Sequence, residues 1–416
     1  MRLSIKSLHL TIASIFILQA AGSVAQQPVP SGGSQMSADV STIAQENNAF
    51  SVDLYGKLSS EPGNLFFSPA SVTSAFAMAY AGARGTTASE MASTLHFSLP
   101  PDRLHPAMGA LLTQLNGPHT NYELHMANAL WAEKDQHFLA DYIDLTKRDY
   151  GAGFQPVDFK SNPEAARALI NNWVAQQTQQ KILNLVPAGS VTPLTRLILI
   201  NAIYFKAAWA EPFSKSQTQS EDFHLSASQS VKADLMHLDL GGRYFRGPDF
   251  QAIELPYKSN ELSMIVLLPD DLDGLPELQK SLTVANIDKW IGSLLNEDKI
   301  VVTFPRFKIT QQLELSAVLE ALGMKQAFQA STADFSAITG HRDLYISAAI
   351  HKAYIDVDEE GTEAAAATAI ALFTMIMRQA PAPPIVFRAD HPFLFLIRDN
   401  KSGAILFIGR LTDPTK

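Results

Sequence analysis

The sequence predicts an α+β fold. Helix signals come mainly in the first half of the chain and strand signals mainly in the second half, without the regular alternation of a doubly wound parallel sheet. With 46% hydrophobic and 18% charged residues, the 416-residue chain can also bury a large core. No internal repeat or second linker divides it, which favours one large domain.

Two helices are predicted near the start of the folded part. Apolar residues recur at helical spacing between positions 43 and 58, and the turn cluster at 61–64 ends that pattern. The second helix covers residues 69–83, with Pro69 in its first turn and Ser68 as its N-cap.

Strand signals follow later in the chain. Six short runs rich in branched and aromatic residues predict strands at 197–206, 262–268, 300–304, 354–358, 393–398 and 404–408. The intervening sequence DNKSG at 399–403 is typical of a hairpin turn between the last two strands.

The N-terminus predicts export. Arg2 and Lys6 precede an apolar run, and small residues follow at the spacing of a cleavage site, so residues 1–25 are interpreted as a signal peptide. Residues 26–37 are rich in Pro, Gly, Ser and Gln and predict a flexible leader, followed by a single domain at 38–416. We therefore expect a secreted or periplasmic protein that is not held in a membrane.

Charge and cysteine content exclude several classes of partner. Removal of the signal segment leaves 30 Lys and Arg against 41 Asp and Glu, so nucleic acid is not an expected partner. The chain has no cysteine, which excludes disulfides and thiolate metal sites. Only Arg103 supplies a fixed positive charge between positions 101 and 121, so heparin binding is not expected either.

No enzyme signature is present. The sequence lacks a zinc-protease helix, a G-x-S-x-G nucleophile elbow, an S-x-x-K motif and a phosphate-binding loop. The 11 His residues are scattered without the spacing of metal ligands. We expect neither a cofactor nor a metal, although a triad assembled from distant residues would escape this search.

The segment at 359–369 (EEGTEAAAATA) departs from its surroundings. Local propensity predicts an alanine-rich helix, yet the run follows a strand at Gly361 and ends in the Pro-rich sequence at 381–384. As a strand it would turn Thr362, Ala364, Ala366 and Thr368 to one face, and every one of those side chains is small. Such a segment can slide between two existing strands.

This segment resembles the hinge of the serpin family. Further serpin-like motifs follow in serpin order: NLFFSPASV at 64–72, NAIYFK at 201–206, FPRF at 304–307, and ADHPFLF at 389–395 with FIGR at 407–410. The resemblance extends from about position 40 to 414. Two positions depart from the family pattern, Ala207 and the FSAI sequence at 335–338, and local repacking is expected there.

The resemblance implies three sheets, eight to nine helices and an exposed reactive-centre loop. A target serine protease attacks the loop as a substrate, the loop inserts into the central sheet, and the acyl-enzyme is trapped. The implied hinge comprises Glu360, Gly361, Thr362, Glu363, Ala364, Ala365, Ala366, Ala367 and Thr368. Ser68, Ser71, Asn201 and His351 match the polar cluster that controls opening of the sheet; outside the family, each would be an ordinary cap, amide or core histidine.

The spacing of the family places the attacked bond at Met375-Ile376. Met375 suits the primary pocket of elastase-, chymotrypsin- or subtilisin-like proteases. Thr374 flanks this bond, and Phe373, Met377 or Arg378 could be used instead of Met375. Use of Arg378 would redirect the inhibitor to trypsin-like targets.

Two alternatives stay open at this stage. One is a serpin-fold carrier or chaperone that does not inhibit, although the small residues of the hinge favour inhibition. The other is a secreted hydrolase with dispersed catalytic residues. We expect a monomer, and the single sequon at Asn400 leaves glycosylation undecided.

Overall fold

The computed structural model describes residues 32–151, 153–362 and 384–416. Within these ranges the chain forms ten α-helices and fifteen strands, which confirms the α+β class. The helices are α1 Gly32–Leu58, α2 Pro69–Gly82, α3 Gly85–Thr94, α4 Pro101–Asn116, α5 Ala140–Tyr150, α6 Pro163–Gln177, α7 Leu275–Lys280, α8 Val284–Gly292, α9 Ser316–Ala321 and α10 Ser336–Thr339. None of these helices is both long enough and apolar enough to span a bilayer.

The strands form two hydrogen-bonded sheets in the described ranges. They are β1 Leu65–Phe67, β2 Tyr122–Glu133, β3 Phe154–Val157, β4 Leu197–Ala208, β5 Gln219–Ser226, β6 Gln229–Arg246, β7 Phe250–Pro256, β8 Leu262–Pro269, β9 Leu295–Pro305, β10 Phe307–Glu314, β11 Ile346–Asp358, β12 Gly361–Thr362, β13 Ile385–Arg388, β14 Phe393–Asp399 and β15 Ile405–Leu411. The central sheet has six strands in the order β10-β11-β12-β4-β2-β3. The second sheet has nine, in the order β1-β15-β14-β8-β7-β6-β9-β13, with β5 on β6.

The number of sheets differs from the three that the resemblance implies. The 18-residue strand β6 pairs with β5 up to Leu235, with β9 from Leu235 to Tyr244 and with β7 from Tyr244 to its end. A register shift between Leu240 and Gly242 divides the pairing with β9 into two parts. Two of the expected sheets are therefore continuous through β6.

The predicted elements are present, most of them with longer bounds, although α2 ends at Gly82, one residue earlier than predicted. The N-cap of α2 is Ser68, whose side chain accepts the backbone N–H of Ser71, as the sequence predicts. Helix α1, in contrast, begins at Gly32, inside the segment predicted as a flexible leader. The side chain of Asp39 accounts for this extension, because it accepts a hydrogen bond from Gln35 and pairs with the guanidinium of Arg103 in α4.

The main core lies between the two sheets. Phe205 of β4 meets Phe407 of β15 with ring centroids 5.5 Å apart, and Phe66 of β1 stacks on Phe407 at 5.2 Å. A separate apolar cluster, which includes Trp131 and Ile170, packs α6 against the central sheet. The central sheet is therefore covered on both faces, and a strand that entered it would become buried.

Candidate functional site

The chain turns back at the end of β11 and places two residues inside the central sheet. Strand β12 pairs antiparallel with β11 through Val357 and Thr362, and antiparallel with β4 through Ala207 and Thr362. Further from this end of the sheet, β11 and β4 pair directly with each other in parallel, from Ile346 to Tyr354 of β11. We call this parallel pairing the seam, and β12 occupies its open end.

Glycine is required at position 361. Gly361 has φ +151°, and a Cβ atom there would overlap the carbonyl oxygen of Ala207 and lie 2.7 Å from the Cα of Ala208. The carboxylate of Asp358 closes the turn by accepting the backbone N–H groups of Glu360, at 2.9 Å, and of Gly361, at 3.2 Å. The backbone is thus aimed into the sheet by the sequence of the turn.

Thr362 is fully buried at the open end of the seam. Its Oγ1 lies 2.8 Å from the hydroxyl of Tyr257, which is also buried. The Tyr257 ring stacks on Trp209 with centroids 4.6 Å apart. Burial raises the pKa of Tyr257, so its hydroxyl stays protonated and able to hydrogen-bond.

Glu359 anchors the turn from the other side. Its side chain is only 1% exposed; it accepts two hydrogen bonds from Arg306, at 2.6 and 2.7 Å, and one from Thr218, at 2.5 Å. Burial by itself would raise the pKa of Glu359, but the hydrogen bonds from Thr218 and Arg306 outweigh it and hold the pKa below the usual value. The carboxylate is therefore ionised at neutral pH.

Backbone contacts hold the same turn. The N–H of Trp209 donates to the carbonyl of Glu360 at 3.0 Å, and the N–H of Phe213 donates to the carbonyl of Glu359 at 2.8 Å. The indole N–H of Trp209 donates to the carbonyl of Asp358, also at 3.0 Å. Every residue from 358 to 362 is thus hydrogen-bonded to the body of the protein.

The four polar residues predicted to form a cluster do come together. His351 of β11 lies opposite Asn201 of β4 in the seam, and the two side chains are hydrogen-bonded. His351 Nε2 accepts the backbone N–H of Ser68 at 3.1 Å, and Asn201 donates to the hydroxyl of Ser71 at 2.6 Å. The seam is therefore bridged by side chains as well as by its backbone.

The surroundings fix the protonation of His351. Since Nε2 accepts from Ser68, the ring proton must lie on Nδ1, where it is donated to the Asn201 side-chain oxygen. Complete burial lowers the pKa of His351 to about 3, so the ring is neutral at physiological pH. A second ring proton would face the N–H donor of Ser68.

Residues 45–414 match the family model described as Serpin (serine protease inhibitor), and the hinge turn and the polar cluster both lie inside that match. The chain belongs to the serpin family. The family is described as serine protease inhibitors and the leukocyte elastase inhibitor is among its similar relatives, so this serpin is not an enzyme.

Relatives and solved structures cover almost the whole chain. It is 40% identical to leukocyte elastase inhibitor of Homo sapiens over 382 residues, which is 89% of this chain and 99% of the relative. The chain is 39% identical to Serpin B6 of Macaca fascicularis over 378 residues, which again cover 89% of this chain and 99% of the relative. Serpin48 of the insect Tenebrio molitor superposes with a TM-score of 0.79 at 35% identity, covering 92% of this chain and 100% of that one. Uncleaved ovalbumin superposes with a TM-score of 0.81 at 29% identity, covering 89% of this chain and 100% of that one.

The described residues include only the start of the predicted reactive-centre loop, which we call the bait segment. Of the predicted hinge, Glu360, Gly361 and Thr362 are described. The remaining hinge and bait positions lie outside the described residues: Glu363, Ala364, Ala365, Ala366, Ala367, Thr368, Phe373, Thr374, Met375, Ile376, Met377 and Arg378. The chain is described again from Pro384, and β13 then pairs with β9 at the edge of the second sheet.

Sequence reasoning missed several residues of the site. Asn128 lies opposite Asn201 in the β2–β4 pairing; it accepts from Ser71 at 3.2 Å and donates to Ser74 at 2.5 Å. A single amide inside the apolar strand MANALWA was the signal that could have found it. Arg306 stands inside a quoted motif, but nothing local indicates its pairing with Glu359.

The described part of the site offers no arrangement for metal chemistry. Across the residues that the structure describes, no three His, Asp or Glu side chains are grouped so as to hold a metal ion. Its described features are a two-residue strand at the open end of the seam and a buried polar cluster further along the same seam.

Proposed function

We propose that this serpin inhibits serine proteases irreversibly, by inserting its bait segment into the central sheet after cleavage. The observation that carries the proposal is strand β12, which already lies between β11 and β4 and is antiparallel to both. Further insertion only has to extend this strand along the seam. The start of the insertion path is therefore part of the fold.

Extension of β12 would replace one ladder of backbone hydrogen bonds between β11 and β4 with two ladders. The seam pairs Ile346 with Leu197 at one end and Tyr354 with Tyr204 at the other, in parallel. An inserted strand would replace this parallel ladder by two antiparallel ones, which are slightly more stable per residue. At a net value of about 1 kcal/mol per added hydrogen bond, several extra bonds favour the inserted state by several kcal/mol.

The uninserted state must then be held by a kinetic barrier. The hydrogen bond between His351 and Asn201 crosses the seam, so it must break before a strand can pass. The cluster around it is buried, and its polar atoms lose their partners during the passage. We assign to this cluster the control of sheet opening.

The attacked bond is proposed at Met375-Ile376. The protease serine hydroxyl adds to the Met375 carbonyl carbon, the C–N bond to Ile376 breaks, and the new amine of Ile376 takes the proton. Met375 is then held as an ester on the protease, and insertion must outrun hydrolysis of that ester. The names of the elastase-inhibitor relatives support an elastase-like target.

The first experiment incubates the purified protein with elastase-, chymotrypsin-, subtilisin- and trypsin-like proteases. A complex that resists denaturing gel electrophoresis is expected with at least one of them, and the mass of the released C-terminal peptide locates the bond. Ala364→Arg, on the inward face of the inserted strand, should convert the inhibitor into a substrate, whereas Ala365→Arg, on the outward face, should inhibit. Cleavage without any complex would refute the proposal.

A second experiment locks the seam, using the absence of cysteine from the chain. Ala202 and Lys352 are paired across the seam, so a Cys pair at these positions can form a disulfide between neighbouring strands. The oxidised variant should be cleaved without forming a complex, and reduction should restore inhibition. The control is a Cys pair at Asp222 and Lys232, which joins β5 to β6 and should inhibit in both redox states. Inhibition by the oxidised seam variant would contradict insertion.

We also propose that the protein is exported, with residues 1–25 removed as a signal peptide. The supporting features are the two basic residues, the apolar run and the small residues at 23–25. N-terminal sequencing of the mature protein is expected to begin at Gln26. An intact N-terminus on protein recovered from whole cells, with none outside the membrane, would contradict export.

A further inference from the structure

A cavity of about 570 Å³ lies among four helices, away from the hinge and the polar cluster. Its walls come from the end of α2, the start of α3, the N-terminal part of α4 and one side of α5. Apolar groups dominate, including Tyr80, Pro106 and Leu145. This size and lining are typical of sites for small organic molecules between helices.

His105 contributes a polar group to this cavity. The side chain lines the cavity and is 2% exposed, and its Nδ1 lies 2.7 Å from the hydroxyl of Tyr150. Burial raises the pKa of Tyr150 well above its usual value, so this hydroxyl keeps its proton. The Tyr150 hydroxyl has only His105 as a partner among the described residues, so it donates to Nδ1.

The tautomer of His105 follows from this hydrogen bond. With Nδ1 as the acceptor, the ring proton lies on Nε2. Burial lowers the pKa of His105 to about 4, so the ring carries that one proton at neutral pH. No described residue accepts this Nε2–H, and the ring that carries it lines the cavity. The N–H is therefore available to a ligand in the cavity.

The charge near the start of α3 selects the kind of ligand. Arg84 lines the cavity and uses one amino group to donate to the carbonyls of Ala81, at 3.2 Å, and Ala83, at 2.6 Å. Its remaining N–H groups have no acceptor in the ranges described. Arg148 is paired with Asp149, and Asp102 places a negative charge on the α4 wall. The positive charge available to a ligand is therefore that of Arg84, at the start of α3.

We propose that this cavity binds a small amphipathic carboxylate. The apolar part packs against Tyr80, Pro106 and Leu145, while the carboxylate accepts the Nε2–H of His105 and is attracted by Arg84. An acid of about eight carbons is small enough to enter the cavity and has both an apolar tail and a carboxylate. The proposal does not depend on protease inhibition.

The test titrates the full chain with octanoate, and with octanamide as a neutral molecule of the same shape, by isothermal titration calorimetry. Octanoate should bind, and octanamide should bind about tenfold more weakly, because a hydrogen bond to a charged group is the stronger one. Arg84→Gln should weaken octanoate severalfold. The matched control is Arg246→Gln, an arginine paired with Asp270 elsewhere on the surface, which should leave binding unchanged.

Two further measurements place the ligand. Ala88→Trp narrows the cavity and should weaken octanoate binding, and nitrogen NMR of the wild-type chain should show the His105 ring resonances shifting with octanoate. The NMR result decides the matter if Ala88→Trp does not fold. Absence of octanoate binding, equal affinity for octanamide, equal effects of the two arginine variants or unmoved His105 resonances would each overturn the proposal.

Discussion

Removal of Arg306 tests whether an ion pair holds the hinge turn. Glu359 is 1% exposed and would lose both hydrogen bonds from Arg306 in Arg306→Met, while it keeps the one from Thr218. An unpaired buried charge costs about 3–5 kcal/mol. The Arg306 side chain is 43% exposed, so water screens the pair and fills part of the gap, and we reduce the expected loss of unfolding free energy to about 2 kcal/mol. Urea unfolding followed by tryptophan fluorescence measures this loss.

Glu359→Gln removes the charge of the other partner and completes a double-mutant cycle. The double variant Arg306→Met/Glu359→Gln should be more stable than Arg306→Met alone, because an amide in place of the carboxylate leaves no buried charge. Without Arg306, fewer hydrogen bonds oppose the effect of burial on Glu359, so the pKa of Glu359 rises. Its protonation at lower pH then stabilises the Arg306→Met variant. The stability gap to the wild type should therefore narrow between pH 7 and pH 5. The control, Arg246→Met, removes an exposed pair and should cost under about 0.5 kcal/mol. Additive effects, or a gap that does not change with pH, would refute the reasoning.

Three further changes test the hinge and the cluster. Burial lowers the native pKa of His351 to about 3, so its contribution to stability is full above about pH 6.5 and falls by about 1.4 kcal/mol per unit below it. Urea unfolding at pH 7.5 and pH 5 should show a smaller loss of stability for His351→Gln than for the wild type, because only the contribution of His105 is common to both; equal losses would contradict the assignment to His351. Gly361→Ala should drive β12 out of the sheet, because the added Cβ would overlap the carbonyl oxygen of Ala207. Hydrogen exchange at the Thr362 amide should then be faster than in the wild type, and unchanged exchange would contradict this expectation. Asn128→Ala leaves buried partners unsatisfied and should cost about 1–3 kcal/mol of unfolding free energy, and a loss under about 0.5 kcal/mol would show that the amide is dispensable.

Local patterns were sufficient for the elements and for the hinge glycine. Proline at 69 after Ser68 predicts the start of α2, and the structure places it there. A glycine directly after a strand predicts a backbone turn, and Gly361 does adopt a positive φ. These features depend on neighbours in sequence, which is why the sequence carries them.

Contacts between distant segments were beyond local patterns. Arg306 and Glu359 are 53 residues apart, and Asn201 and Asn128 are 73 apart, so their pairing depends on strand order and register. The start of α1 at Gly32 depends in the same way on Arg103, 64 residues from Asp39. Propensity predicted a flexible leader there because it does not include tertiary contacts.

The register of β12 predicts a role for Thr368. Thr362 lies opposite Ala207 of β4 and Val357 of β11, so continuing both antiparallel registers by six residues would bring Thr368 between Asn201 and His351. The proposed insertion would break the hydrogen bond between these two side chains.

A hydroxyl arriving at that point can donate to one side chain and accept from the other, whereas an alanine could do neither. Thr368→Val keeps the shape and removes the hydroxyl, so insertion should slow and more inhibitor should be cleaved for each protease trapped. The control is Thr368→Ser, which keeps the hydroxyl and should inhibit like the wild type. Equal ratios of cleaved to trapped molecules in wild type and Thr368→Val would show that Thr368 does not replace the broken hydrogen bond.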